Sequence, residues 1–180
     1  MLVTSSSTQS AHEYLIVPSR QVEIPPTTPE RYITGIYALN VQAPEGTSGD
    51  WHDVFHWREG VDDPDEVMLG GSAEVDTNHI YGDLGIYNGK DSLLAKGLEI
   101  PGQTASVYVA NHFRAILDMV YHSLTHYRRV YNLTGATTDW LDTPEQQQYV
   151  LEQATRMTPF LPQESQQHLA DWVSKELAAA

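Results

Sequence analysis

The segment Arg31–Val41, RYITGIYALNV, decides how the rest of the chain is read. Tyr32, Ile33, Ile36, Tyr37, Leu39 and Val41 are β-formers, and the run is nearly apolar on both faces. That pattern predicts a central strand, covered on both sides. Gly35 inside it predicts a bulge or a close approach of another backbone. Working outward, HEYLIV and RQVEI read as short strands around Pro18-Ser19, and EVMLGG (Glu66–Gly71) as another. IPPTTPE is an extended, Pro-rich connector. QAPEGTSGD is a turn-rich loop, and EVDTNHIYGDLGIYNGKD is punctuated by Gly82, Gly85 and the Asn88-Gly89 turn signal.

After Pro101-Gly102 the pattern changes. TASVYVANHFRAILDMVYHSLTHYRRVYNL reads as one long amphipathic helix. Val109, Phe113, Ile116, Leu117, Val120, Leu124, Tyr127 and Tyr131 recur in it at three and four. DTPEQQQYVLEQATRM opens with a helix start: Thr143 as N-cap, Pro144 in the first turn, Gln146 closing a capping box. LPQESQQHLADWVSKEL sets Leu169, Trp172, Val173 and Leu177 on one face, so the last two helices are expected to pair as an antiparallel hairpin. The expected class is α+β. A mixed or antiparallel β-rich part with long loops comes first, then the long helix and the hairpin. The expected divisions are an extended segment with short strands over 1–30, an α+β core over 31–135 and the helical hairpin over 136–180.

Composition narrows the chemistry. The 180 residues include no cysteine, which removes disulfides, thiolate metal sites and thiol nucleophiles. The start, MLVTSSSTQSAHEYLIV, has no positive n-region and no long apolar run, so it predicts no secretory signal. No apolar run approaches the roughly 20 residues of a membrane span. The expected location is the cytoplasm. Ten basic residues stand against 24 acidic ones, a formal net charge of −14. Such a chain repels phosphate backbones, so direct nucleic-acid binding is not expected. The same field attracts a basic partner or a cation, or serves solubility alone.

The most suggestive motif is GDWHDVFHW (Gly49–Trp57), in which His52 and His56 enclose Asp53 as H-D-x-x-H. On a helix two such histidines lie about 6 Å apart along the axis and can share one metal. On a strand they lie about 13 Å apart and cannot. A divalent metal such as zinc would then take His52, His56 and His79, with Asp53 as general base, in a metal-dependent hydrolase. The plainer alternative buries Trp51, Phe55 and Trp57 as anchors. A third reading makes this stretch a recognition surface. Trp51, His52, Asp53, Trp57, Asp62 and Asp63 would then meet a basic protein partner.

DTNHIYGD (Asp76–Asp83) offers His79 with Asp76 or Asp83 to orient it, as in an Asp–His pair. Neither a cysteine nor a serine elbow supplies a nucleophile, and a loop closed by an Asx-turn explains the same residues. GDLGIYNGKD fails the phosphate-loop spacing. His122 and His126, four apart near a helix C-terminus beside Arg128 and Arg129, read as a solvated face.

Taken as a set, YITGIYALNVQAPEGTSGDWH, DTNHIYGDLGIY and YVANHFRAILDMVY resemble a family of small bacterial cytosolic proteins from toxin–antitoxin-like, mobile defence loci. The resemblance covers roughly residues 31–131. It implies a protein that neutralises or regulates another, and it brings no catalytic residues with it. The expected function is therefore a non-enzymatic acidic binding protein of antitoxin or immunity type, without cofactor. The alternatives are the H-D-x-x-H hydrolase and a structural subunit that oligomerises through its C-terminal helices.

Overall fold

The computed structural model describes residues 24–50, 57, 67–72, 75–98, 100, 102 and 105–179. HEYLIV, RQVEI up to Ile24, and residues 51–56 of the H-D-x-x-H stretch lie outside them. The strands are β1 (Arg31–Ile33), β2 (Leu69–Gly71), β3 (Ile86–Asn88) and β4 (Tyr108–Ala110). The helices are α1 (Gly35–Leu39), α2 (Asn78–Tyr81), α3 (Lys90–Ala95), α4 (His112–His126), α5 (Ala136–Trp140), α6 (Pro144–Thr155) and α7 (Gln163–Ala179). The fold is α+β with a helical C-terminal part, as the order of patterns predicts.

The strands form one mixed sheet in the order β2-β1-β4-β3. β1 runs antiparallel to β2 and parallel to β4, with Tyr32 opposite Gly70 and Ile33 opposite Val109. Tyr32 and Ile33 are fully buried, as a central strand requires. The predicted strand over 31–41 nevertheless stops after Ile33. The Thr34 N–H still donates to the Met68 carbonyl at 2.9 Å, and from Gly35 to Leu39 the chain is helical. An unbroken apolar run fits a buried helix as well as a buried strand, and packing made the choice. α1 buries Tyr37, Ala38 and Leu39 and lies against α4. Gly35 allows the switch. Its φ is +64°, and a Cβ there would stand 2.5 Å from the Met68 sulfur.

The predicted helix over 104–133 is likewise shorter. Tyr108–Ala110 is a strand, and the helix begins only after Asn111, whose side chain accepts from the Arg114 N–H at 2.9 Å. This is a side-chain N-cap at the end of a β-type run. α4 is the hub of the molecule and touches α1, β4, α5, α6 and α7. Ala115, Ile116, Leu117, Val120 and Leu124 on it are fully buried. Tyr127 and Tyr131, predicted on its apolar face, lie beyond its end and are half exposed.

The C-terminal helices follow the sequence grammar closely. The Thr143 hydroxyl accepts from the Gln146 N–H at 3.3 Å, and the Gln146 side chain accepts from the Thr143 N–H at 3.2 Å, completing the predicted capping box. α7 packs on α6 and on α4. The Trp172 indole N–H donates to the Leu133 carbonyl at 2.7 Å, and the Ser165 hydroxyl to that of Leu124 at 2.9 Å. One apolar cluster joins Leu169 and Trp172 to Val150, Leu117 and Ile33. The face that the structural-subunit reading offers to another chain is thus used within this one. Only Leu177 of that face stands 55% exposed, while Glu176 beside it is buried.

Candidate functional site

Two polar assemblies stand out from the apolar core. In the first, Arg114 and Asp118 are one turn apart on α4, fully buried, and paired at 3.0 Å. The Asp118 carboxylate also accepts from the hydroxyls of Tyr32, Thr34 and Thr77. The guanidinium donates onward to Thr77, to the Asn78 side chain and to the carbonyls of Gly82 and Leu84. Its plane lies over the rings of Tyr32 and Tyr81. Burial pushes the Asp118 carboxyl upward, and the guanidinium and the Thr77 and Thr34 hydroxyls pull it back. Among the described residues, every buried side-chain polar atom of this assembly has a protein partner. The assembly joins β1, the 76–84 loop and α4, which is structural work.

The second assembly backs a surface cleft. After α1 the chain makes a compact loop whose ends meet, with the Asp50 N–H donating to the Leu39 carbonyl at 3.0 Å. This is an Ω-loop, a form that frequently carries function. Its outer wall is pinned on several sides. Ser48 donates to Asp142 through both N–H and hydroxyl, Asn111 donates to Glu45, and the hydroxyls of Tyr87 and Ser92 donate to the Gln42 carbonyl. Under it lies His112, 1% exposed, with Nε2 at 2.8 Å from the Val41 carbonyl and Nδ1 at 2.5 Å from the Thr47 hydroxyl. Gly49 closes the wall. Its φ is +62°, and a Cβ would lie 2.3 Å from the Leu39 carbonyl and 2.5 Å from the His112 ring. The cleft has a volume of about 260 Å³ and is lined by Asn40, Thr47, Ser48 and Asp50, with Lys96 among its other neighbours.

Burial lowers the His112 pKa from its ordinary 6.5, against the opposing pull of the Val41 carbonyl and of the Glu45 and Asp142 charges. A base whose folded pKa lies below its unfolded value is stabilising above the unfolded value. That stability is lost as pH falls through it toward the folded value. The His112 contribution to the thermal midpoint should therefore be lost as pH falls below about 6.5. In His112→Gln, which can donate to Val41 and accept from Thr47 without titrating, the part of this slope due to His112 should vanish. Equal slopes in both proteins would refute the assignment.

The predicted site residues fare differently. Trp51, His52, Asp53, His56, Asp62 and Asp63 lie outside the described residues. Trp57 is in the core, 2% exposed and edge-on to Tyr37 at 5.2 Å, the place the anchor alternative gives it. His79 is exposed on α2. Its ring meets Phe160 at 4.9 Å and Tyr121 at 6.0 Å. Asp76 accepts from the Asn78 N–H at 3.1 Å, closing the Asx-turn that explains DTNHIYGD. His122 and His126 stack at 5.2 Å beside Tyr127. Among the described residues no three His, Cys, Asp or Glu side chains are grouped to hold a metal, and no helix is long and apolar enough to cross a membrane.

The cleft residues Asn40, Thr47 and Ser48, and His112 beneath the loop, were not singled out by sequence. The glycines of APEGTSGD do mark a compact loop, but nothing local says that a histidine some sixty residues later lies beneath it. Comparison with protein-family models, with curated proteins and with solved structures found no match to this chain.

Proposed function

We propose that this chain is a non-enzymatic, acidic binding protein of antitoxin or immunity type that neutralises or regulates a basic partner protein. One observation carries the reading: the reactive-looking groups inside the molecule are consumed by the fold. Arg114 and Asp118 are saturated by protein partners, and His112 is wedged between Val41 and Thr47. What the protein turns outward is acid, including Glu45, Asp76, Asp91, Asp142 and Glu152, within a net charge of −14. A field of this sign speeds the approach of a basic partner and orients it. The resemblance of residues 31–131 to proteins of toxin–antitoxin-like loci points the same way. Trp51, His52, Asp53, Asp62 and Asp63 remain the proposed contact residues, and Trp57 itself is buried in the core.

The test is native mass spectrometry of the untagged protein drawn from its own host's lysate. A discrete heteromeric mass that dissociates at raised salt is expected, since screening weakens surface attraction. A stoichiometric zinc adduct, absent from His52→Ala, would overturn the reading in favour of the hydrolase. A bare monomer at physiological salt would overturn it too.

A further inference from the structure

The Ω-loop cleft has an unusual hydrogen-bonding character: three polar side chains that line it have spent their protons elsewhere. Asn40 is 2% exposed and lines the cleft. Its Nδ2 donates to the Ile36 carbonyl at 2.9 Å, which fixes the amide's orientation, because a carbonyl cannot donate. Its Oδ1 is buried and accepts from no group of the protein, Lys96 included. A buried acceptor of this kind calls for a donor. Thr47 and Ser48 repeat the pattern. The Val41 carbonyl only accepts, so His112 carries its proton on Nε2, and Nδ1 then takes the Thr47 hydroxyl proton. The Ser48 hydroxyl gives its proton to the Asp142 carboxylate at 2.5 Å. Both oxygens are left presenting lone pairs alone. Asp50 adds a carboxylate to the lining, and Glu45 and Asp142 lie close enough to act on His112 behind the wall. In the lining itself one carboxylate, Asp50, stands against one cation, Lys96, and Glu45 and Asp142 outside it tip the local balance to negative.

We infer that this cleft binds a donor-rich organic cation, a primary ammonium or guanidinium head group, through Asn40 Oδ1, Thr47 Oγ1 and Ser48 Oγ. Such a head group brings several N–H donors and positive charge to a set of acceptors and negative potential. The cleft is pre-formed, because its wall is held by bonds outside it. The inference deepens the reading above, since a lysine or arginine side chain of a basic partner carries this chemistry. A free amine carries it equally.

The experiment is an amide and side-chain NMR titration of the full-length, ¹⁵N-labelled chain. The probes are the N-acetyl methylamides of lysine, arginine and norleucine, with tetramethylammonium and potassium chloride as controls at constant ionic strength. Saturable shifts of the Asn40 side-chain NH₂ and the Thr47 and Ser48 amides are expected with lysine or arginine only, in the millimolar range of a single head group. Asn40→Leu should weaken binding about tenfold or more, and the milder Ser48→Ala about threefold, with thermal melts confirming that each is folded. Equal shifts with norleucine would mean an apolar pocket. Equal shifts with tetramethylammonium would mean bulk electrostatics, and with potassium an inorganic-ion site. Any of these, or no shift at all, overturns the inference. Failure here is separable from failure of the binding reading. A heteromeric complex formed by a chain that shows no saturable amine shift would sink the cleft and spare that reading. Amine binding with no partner at all would do the reverse.

Discussion

Asp118→Ala is expected to lower the unfolding free energy by about 3–5 kcal/mol, a large share of what a single domain has. The substitution does more than remove a pair. It leaves the Arg114 guanidinium charged, fully buried and short of its anion, and strips the hydroxyls of Tyr32, Thr34 and Thr77 of their shared acceptor. The penalty of an uncompensated buried charge governs the effect. It follows that a double variant, Arg114→Met with Asp118→Leu, should be less destabilised than Asp118→Ala alone. Urea unfolding followed by circular dichroism measures both. A loss under about 1 kcal/mol for the single variant would show that water reaches the site and that the network does not hold the sheet to α4.

Glu176→Ala is expected to have the next largest effect, about 3 kcal/mol. The Glu176 side chain is 1% exposed, and its carboxylate accepts from the Gly135 N–H, the Thr137 N–H and the Thr137 hydroxyl at 2.6, 3.0 and 2.7 Å. These are the unpaired donors at the start of α5, supplied with an acceptor from the far end of the chain. Alanine leaves them buried without one. Glu176→Gln keeps an acceptor oxygen and should recover about half of the loss, whereas a mere packing role would make glutamine nearly silent. The same unfolding measurement decides between them.

The sequence spoke clearly where the physics is local. The capping box at Thr143 and Gln146, the Asx-turn at Asp76 and the apolar face of Leu169 and Trp172 are set by neighbours within one or two turns, and each is present. It misled where one pattern serves two structures. Ile36, Tyr37 and Leu39 satisfy strand propensity, yet Gly35 and the α4 surface turn them into a helix. The segment from Ser106 to Ala110 reads as helix because its apolar residues happen to continue that spacing. Asn111, the cap, divides strand from helix. Glu176 was hidden for another reason. A charge on an apolar face looks like a flaw in the pattern until its distant partners are known. The cleft shares that difficulty: Asn40, Thr47 and Ser48 are ordinary loop residues until His112 and Asp142 take up their protons.

The Arg114–Asp118 assembly also bears on how the chain is made. The hydroxyls of Tyr32, Thr34 and Thr77 await a carboxylate that follows them by 86, 84 and 41 positions. β1, likewise, awaits β4 for one of its two neighbours. Contacts of such long sequence separation form late, because the intervening chain must first be closed into a loop. During synthesis, therefore, the segments carrying β1, α1 and the Ω-loop emerge well before the helix that holds them together. A ribosome stalled short of Asp118 would display that half of the protein unlocked, and release past it would set sheet, loop and helix in a single step.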